Sequence, residues 1–356
     1  MNLFFELLQV AVGVRKNLSH TPTAEEWQEL YNMAEKHTVV GVCFSAVKRL
    51  EVQEQIPPPE LYILWLAITA KIQQSSEVMN RRCKNLQEQF RRVGILSCIL
   101  KGKDYARYYG KLGLLRQSGD IDIWVNDQRG VIDYARKNNI HIDHIDIKNA
   151  VIDFYKDIKV EVHFRPSWMY YTLKNRKLLK WFSQYPFNCF EEKDGIIVPP
   201  IDFSLVYAMV HIYRHFFDEG IGLRQIMDYY FILRASSDES REKAMGTLNG
   251  LGLGKAVAGI MWVMGRCFGR EQFEKLQLCN PDKNVGMFLM DEIMEGGNFG
   301  HHDERNHKIF KSKRWMKGVY VMRRNARFLR YFPAEVISCP IWKLWHYCWR
   351  KQKGYL

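Results

Sequence analysis

The 356-residue sequence has no apolar run long enough to cross a lipid bilayer. The best candidate, Leu61 to Ala70, is far shorter than the roughly 20 residues that a membrane-spanning helix needs. A secretory signal is also lacking, because Met1 to Val14 has no positively charged start and Glu6 interrupts its apolar residues. We therefore expect a cytoplasmic protein whose first residues form an amphipathic helix.

The cysteines lack the spacing of a metal cage. None of the eight forms a C-x-x-C pair, which disfavours a zinc site. Several stand inside apolar runs, as Cys43 and Cys98 do, so free buried thiols of a reducing compartment are the better interpretation. The sequence also has no internal repeat of fixed period and no low-complexity linker.

Net charge is scarce outside the C-terminal segment. Residues 301–356 hold 14 Lys and Arg against 3 Asp and Glu, so they account for most of the net charge of +13. Aromatic side chains interleaved with Lys and Arg suit an anionic membrane surface or nucleic acid. They also suit a helix that packs its aromatic rings on the protein while its charges face water, which is the interpretation we favour.

Apolar periodicity divides the chain into two helical ends and a strand-rich middle. Hydrophobic residues make up 47% of the sequence, enough for a sizeable core. Residues 1–93 form an N-terminal helical region, in which Thr21 is the predicted N-cap of a helix that starts at Pro22. Residues 94–200 form the core, and residues 201–356 form a C-terminal helical region with the basic tail. The predicted fold class is α+β, with a small mixed sheet between the helical regions.

Four segments of the middle region are predicted to contain strands. "ILSCIL" is a buried strand, "IDIWV" alternates like a half-buried strand, and "VIDFYKDIKVEVHF" reads as a hairpin. "GIIVPP" is a candidate for one more edge strand.

Acidic residues alternate with apolar ones on two of these strands. Asp120 and Asp122 are two apart and project from the same face, and Glu161 alternates with its valine neighbours. Adjacent carboxylates repel each other unless a cation lies between them, and hard oxygen ligands suit Mg²⁺. Asp153 and Asp157 remain rivals of Glu161 for the third carboxylate. This arrangement is typical of phosphoryl and nucleotidyl transfer.

A glycine at the end of the first strand supplies a second requirement of that chemistry. Gly102 stands at a predicted strand-to-helix turn, where a residue without a side chain lets backbone N–H groups approach a phosphate. Lys103 follows it.

The run "ILKGKDYARYYGKLGLLRQSGDIDIWV", with the later "VEVHFRP", resembles the polymerase-beta-like nucleotidyltransferase superfamily. It is most similar to an uncharacterised nucleotidyltransferase family that is common in bacteria and often found in polysaccharide gene clusters. The resemblance implies a metal-dependent transfer of a nucleoside monophosphate from an NTP to an acceptor hydroxyl, with Mg²⁺ or Mn²⁺ as cofactor. The acceptor stays open between a sugar, a protein and a small molecule, and nucleic acid is not favoured.

The resemblance also implies roles for individual residues. Asp120, Asp122 and Glu161 are the catalytic and metal-binding set, and the nucleotide-binding set is Gly102, Lys103, Arg116 and Ser118. Lys103 departs from the superfamily pattern, which has Gly or Ser after the glycine. Lys103 or Lys101 would then contact the phosphates, or the core has lost the reaction and serves as a binding or assembly module at a membrane surface.

Five further residues are candidates for the lining of the cleft. His163 shares the face of Glu161 and is predicted to hydrogen-bond a carboxylate. His211 and His215, four apart on a helix, are predicted to line the cleft without binding metal. Arg224 and Asp228 are also four apart, so an exposed ion pair competes with a role in closing the site. The glycine-rich "EGGNFG" at 295–300 is predicted to be a loop, with a lid as one option.

Overall fold

The computed structural model describes residues 3–300, 322–323 and 325–352. Four helices precede the sheet, and they are α1 Leu3–Val12, α2 Ala24–Lys36, α3 Val40–Val47 and α4 Pro59–Arg92. The sheet region contains β1 Ser97–Leu100, α5 Gly102–Ala106, β2 Asp120–Val125, α6 Gln128–Lys137, β3 Ile142–Ile145, β4 Asn149–Ile152 and β5 Lys159–His163. It is followed by α7 Thr172–Phe182, β6 Glu191–Lys193 and β7 Ile196–Val198. The remaining helices are α8 Ile201–Asp218, α9 Leu223–Ala235, α10 Asp238–Gly250, α11 Gly254–Phe268, α12 Arg270–Glu274, α13 Lys283–Gly296 and α14 Pro333–Gln352.

The main sheet has five strands in the order β1-β2-β5-β4-β3. Strands β2 and β5 are parallel, and every other neighbouring pair is antiparallel. Strands β4 and β5 form the predicted hairpin. The predicted α+β class with a small mixed sheet between helical regions is confirmed.

The two faces of the sheet are chemically different because side chains alternate along each strand. Ile121 and Ile123 of β2 join Val160 of β5 in a buried cluster that also contains Phe90 of α4 and Val131 of α6. A second buried cluster joins the first helices to α8, α9 and α11. The acidic residues of β2 and β5 therefore face α8 and α9, while the aliphatic residues face α4 and α6.

Two details of the predicted secondary structure were wrong. The N-cap of α2 is Thr23 rather than Thr21, because Thr23 and Glu26 form a capping box of reciprocal hydrogen bonds at 3.2 and 2.9 Å. The strand at "GIIVPP" pairs with β6 in a separate two-stranded sheet instead of forming an edge of the main sheet.

The basic C-terminal segment is described only in part, since residues 301–321, 324 and 353–356 lie outside the described residues. Helix α14 packs Trp342 against Tyr170 with ring centroids 5.5 Å apart, and His346 Nε2 donates to Asp146 Oδ1 at 2.6 Å. The predicted packing of aromatic residues on the protein is thus confirmed for Trp342. The outer side of α14 instead exposes large apolar side chains, namely Ile337, Ile341, Leu344, Trp345 and Tyr347. Within the described residues, no helix has the length and apolar character to span a bilayer.

Candidate active site

Three side chains meet on the two parallel strands at the centre of the sheet. The register of β2 and β5 sets Asp122 opposite Glu161, and His163 follows two residues later on the same face. His163 Nε2 lies 2.6 Å from Asp122 Oδ1 and 3.8 Å from Glu161 Oε2. The three residues offer ligand atoms that all lie within 4.8 Å of one another. The hydrogen bond predicted between His163 and a carboxylate is present.

Asp122 is a buried carboxylate that Lys101 and His163 both contact. Lys101 Nζ lies 2.5 Å from the same Oδ1 that His163 contacts. Burial raises the pKa of Asp122, but the Lys101 ammonium and then His163 more than offset it and hold this pKa below its usual range. Asp122 is therefore ionised at neutral pH.

Asp120 lies two residues before Asp122 on β2 and lines the same cleft. Burial, followed by repulsion from Asp122, raises the pKa of Asp120 to about 6. Asp120 and Asp122 are thus neighbouring carboxylates of β2 whose pKa values are shifted in opposite directions.

Glu161 is the third carboxylate of the cleft. Its rivals point elsewhere, because Asp153 pairs with His141 at 2.9 Å and Asp157 pairs with Arg82, both on the exposed surface. The side chain of Glu161 is only 22% exposed. Of these three candidates only Glu161 lines the cleft, and its role as a metal ligand stays a prediction.

In the turn after β1, the backbone is strained at Lys101, and Gly102 has free space where a side chain would begin. Lys101 adopts φ 48°, a conformation that costs a residue with a side chain roughly 1–3 kcal/mol. A Cβ on Gly102 would meet no atom closer than Ser118 Oγ at 3.6 Å, an ordinary contact. Protein packing therefore does not require a glycine at this position, although the position lines the cleft.

Arg116 is held by a carboxylate of the helical half. Its Nε and Nη2 each donate to one oxygen of Asp228 at 2.7 Å, and its Nη1 donates to Ser118 Oγ at 2.6 Å. Tyr109 adds a third donor to Asp228 at 2.7 Å. The option of an exposed ion pair between Arg224 and Asp228 is wrong. Asp228 is buried, and its ion-pair partner is Arg116.

Arg224 instead lines the cleft and forms no direct ion pair with a described residue. Its guanidinium donates to Gln117 O at 2.9 Å and Asn298 Oδ1 at 3.4 Å, and its buried Nε has no hydrogen-bond partner among the described residues. Within the same described part of the chain, no carboxylate oxygen lies within 4.0 Å of it. Burial, followed by the neighbouring Arg116, lowers the pKa of Arg224 to about 10.

His211 and His215 line the opposite wall from helix α8. Their rings meet edge to face with centroids 4.2 Å apart. Burial lowers the pKa of both imidazoles, so they are neutral at pH 7. Glu219 Oε2 lies 3.3 Å from His215 Nδ1.

The glycine-rich loop closes one end of the cleft. Phe299 adopts φ 53° and places its ring 5.3 Å from that of His215. Gly300 has φ 67°, and a Cβ there would lie 2.2 Å from Glu219 O, so only glycine fits. The predicted special backbone angles occur at Gly297, Phe299 and Gly300, whereas the loop prediction was wrong for Glu295 and Gly296, which end helix α13.

Lys103 does not reach the cleft. Its side chain is buried against α4, where Nζ donates to Ser76 Oγ, and it borders a separate cavity beside Lys84. The direction of its side chain follows from the first turn of α5, in which Gly102 faces the cleft and Lys103 faces α4. The expected contact between Lys103 and a phosphate is therefore not supported by its position.

The cleft has a volume of about 300 Å³ and collects most of the predicted site residues. Its lining includes Lys101, Gly102, Arg116, Ser118, Asp120, Asp122, Glu161, His211, His215, Arg224 and Asp228.

Three charged residues of the cleft were missed by the sequence interpretation, namely Lys148, Arg214 and Glu219. Arg214 stands three residues after His211 on α8, so helical spacing alone places it near the histidine face. Lys148 has no comparable signal, because its position depends on how β4 pairs with β5.

Comparison with known proteins identifies the chain as a nucleotidyltransferase-type protein. A family described as "Uncharacterised nucleotidyltransferase" matches residues 23–269. This match covers more than half of the chain and includes β1 to β5 and both acidic strands. The chain belongs to this family. No curated protein matches it.

Proposed function

We propose that this protein is a metal-dependent nucleotidyltransferase of the polymerase-beta-like superfamily. It transfers a nucleoside monophosphate from an NTP to an acceptor hydroxyl and releases pyrophosphate. Arg224 carries this proposal, because its half-buried guanidinium faces the same cleft as Asp120, Asp122 and Glu161, and its Nε has no hydrogen-bond partner among the described residues. A cation withdrawn from water without a direct ion pair is costly, and a bound anion such as a triphosphate would reduce that cost.

The triphosphate is assigned to the β1–β2 side of the cleft. Gly102 leaves space for a phosphate beside Ser118, and Arg224 supplies the charge. Arg116 acts indirectly, since its pairing with Asp228 leaves it to orient Ser118 and to brace the wall.

The donor set of the carboxylates fits a hard divalent cation. Asp120, Asp122 and Glu161 supply oxygen ligands of the kind that Mg²⁺ and Mn²⁺ prefer. Lys101 Nζ and His163 Nε2 contact the same Asp122 oxygen, and the Lys101 ammonium balances charge that a metal would otherwise balance. Such a metal would supply charge neutralisation for the phosphates and would favour the ionised acceptor hydroxyl.

Glu161 and Arg224 have separate roles in the proposed transfer. The acceptor oxygen forms a bond to the α-phosphorus, and the bond from that phosphorus to the oxygen bridging to the β-phosphate breaks. Pyrophosphate leaves with the bonding electron pair, and Glu161 accepts the hydroxyl proton before releasing it to water. Arg224 holds the departing phosphates, where negative charge accumulates.

The competing proposal is a core without catalysis that serves as a binding or assembly module at an anionic surface. It is supported by the exposed apolar side chains of α14, which lie beside basic residues such as Lys343 and Arg350. Nucleotide binding discriminates between the two proposals, because a core that has lost catalysis does not require metal-dependent binding of a triphosphate.

Calorimetry with ATP, GTP, CTP and UTP tests the proposal in Mg²⁺, in Mn²⁺ and in EDTA. We expect one or more NTPs to bind only with metal, and Asp122→Asn to abolish this binding in a folded protein. Asp157→Asn is the matched control, because Asp157 is an exposed carboxylate paired with Arg82. Binding of no NTP with either metal, or equal binding in EDTA, would reject the proposal in favour of the module. Binding of Mg²⁺-loaded vesicles of anionic lipid by the same protein would then support the competing proposal.

A further inference from the structure

A second cationic group lies on the far side of the carboxylates from Gly102. The strand order β1-β2-β5-β4 sets Asp122 on β2, then Glu161 on β5, and then β4, which Lys148 immediately precedes. Lys148 and Arg214 of α8 both line the cleft on that side. The carboxylates therefore separate a Gly102–Arg224 side from a Lys148–Arg214 side.

These two cations contact one aromatic ring. Lys148 Nζ lies 3.6 Å from the ring centroid of Trp168, and Arg214 Cζ lies 4.0 Å from the same centroid. Arg214 is paired with Asp218 at 2.8 Å. By contrast, across residues 3–300, 322–323 and 325–352, Lys148 has no carboxylate oxygen within 4.0 Å. The Trp168 ring fixes the position of the lysine, whereas the carboxylates of Asp218, Asp146 and Glu161 act on its charge only at longer range.

The environment of Lys148 disfavours its charge. Burial, followed by the nearby Arg214, lowers the pKa of Lys148 to about 8. Arg214 also keeps its buried Nε without a partner in the described part of the chain. An anion placed between Lys148 and Arg214 would offset both costs.

We propose that Lys148 and Arg214 form the acceptor subsite, and that the acceptor carries a phosphate or carboxylate group near the hydroxyl that attacks. This inference rests on the proposed function and narrows its substrate class to anionic acceptors. Glu161 lies between the two sides of the cleft, so an acceptor anchored at Lys148 presents its hydroxyl to the carboxylate that accepts the proton. Neutral sugars and other uncharged alcohols would leave Lys148 uncompensated and bind weakly.

The same anion chemistry has a second source, which is the γ-phosphate of the NTP. Placement argues for the acceptor, because Arg224, Gly102 and Ser118 already provide for the triphosphate on the opposite side. The two sources differ in what a change at Lys148 does. An acceptor anchor affects anion binding to the nucleotide-loaded protein, whereas a triphosphate ligand affects nucleotide binding itself.

The experiment is calorimetry on the full chain saturated with Mg²⁺ and the α,β-methylene analogue of the NTP that binds. Inorganic phosphate, glycerol 3-phosphate and glycerol are titrated into wild type, Lys148→Gln, Lys148→Arg and Lys177→Gln. Lys177 is an exposed lysine of α7 and serves as the matched control. Melting curves establish that each variant is folded.

We expect phosphate and glycerol 3-phosphate to bind the wild type and glycerol not to bind. Lys148→Gln should weaken both anions at least tenfold without changing the affinity for the nucleotide, whereas Lys148→Arg and Lys177→Gln retain binding. Equal anion binding in Lys148→Gln, no anion binding to the loaded wild type, or weaker nucleotide binding in Lys148→Gln overturns the inference and leaves the proposed function intact. If no nucleotide binds in the first place, the proposed function and this inference both fail.

Discussion

Arg116 donates through Nε and Nη2 to both carboxylate oxygens of Asp228, at 2.7 Å each, and so ties the segment before β2 to helix α9. Both side chains are at most 6% exposed. A bidentate guanidinium–carboxylate pair of this kind fixes orientation as well as distance. It therefore holds the wall that carries Arg224 against the strand that carries Asp120 and Asp122.

The first prediction follows from that burial. Asp228→Asn leaves the Arg116 charge without its partner, so we expect a loss of about 3–5 kcal/mol of stability. Chemical denaturation followed by circular dichroism measures the change. Asp238→Asn is the control, because Asp238 is 97% exposed in its ion pair with Arg241 and its loss should cost under about 0.5 kcal/mol. Equal losses in the two variants would show that the pair does not hold the wall.

The second prediction concerns Gly102. In Gly102→Ala the new Cβ meets Ser118 Oγ at 3.6 Å and nothing closer, so we expect the fold and its melting temperature to be kept. The methyl group occupies the space assigned to a phosphate, and we expect NTP affinity in Mg²⁺ to fall at least tenfold. Gly246→Ala in α10 is the control, since a Cβ there meets no atom within 4 Å. Unchanged nucleotide affinity in Gly102→Ala would move the triphosphate away from this turn.

The third prediction concerns Lys103, which is 5% exposed. Burial lowers the pKa of Lys103 to about 8 from 10.5, so its charged form destabilises the fold below pH about 8 and this penalty declines between pH about 8 and 10.5. Lys103→Met removes the charge at similar volume, and we expect a gain of roughly 1–3 kcal/mol at pH 7 that shrinks as the pH rises. Nucleotide affinity should not change. Denaturation midpoints at pH 7 and pH 10 measure the gain.

The exposed Lys84, beside the same cavity, provides the control variant Lys84→Met, which should leave stability unchanged. A loss of NTP binding in Lys103→Met alone would restore the contact with phosphate that the sequence suggested for Lys103.

Alternation along single strands explains how much of the site could be predicted from the sequence. Asp120, Asp122 and Glu161 were placed by a period of two residues, which any strand imposes. The partner of Asp228 could not be found in this way, because Arg116 is more than a hundred residues away and meets it only through packing of α9. The spacing of four residues that pointed to Arg224 is a local rule, and the buried tertiary contact outweighs it.

The second limit of the sequence prediction was the direction in which side chains point from a short turn. Lys103 follows Gly102 directly, yet one faces the cleft and the other faces α4, a difference set by the strained backbone at Lys101. Lys148 was missed because its place beside Glu161 depends on the pairing of β4 with β5. The division of the chain at residues 93 and 200 stays a prediction.

The last prediction concerns the docking of α14, where Glu335 accepts backbone N–H bonds from Tyr170 at 2.6 Å and Tyr171 at 3.2 Å. Burial raises the pKa of Glu335 to about 7 from 4.5. The folded state therefore binds the Glu335 proton more tightly than the unfolded state does. The contribution of this proton to folding stability is fully present below pH about 4.5 and is lost as the pH rises towards 7. The shift corresponds to about 3 kcal/mol. Hydrogen exchange of the α14 amides, corrected for intrinsic rates, should show protection that declines from pH 5 to pH 8 in the wild type. The two N–H groups donate to different oxygens of Glu335, so in Glu335→Gln the amide oxygen accepts only one of these bonds. The amide cannot titrate, so protection in this variant should be independent of pH. A wild-type profile as flat as that of Glu335→Gln would contradict the role of this carboxyl.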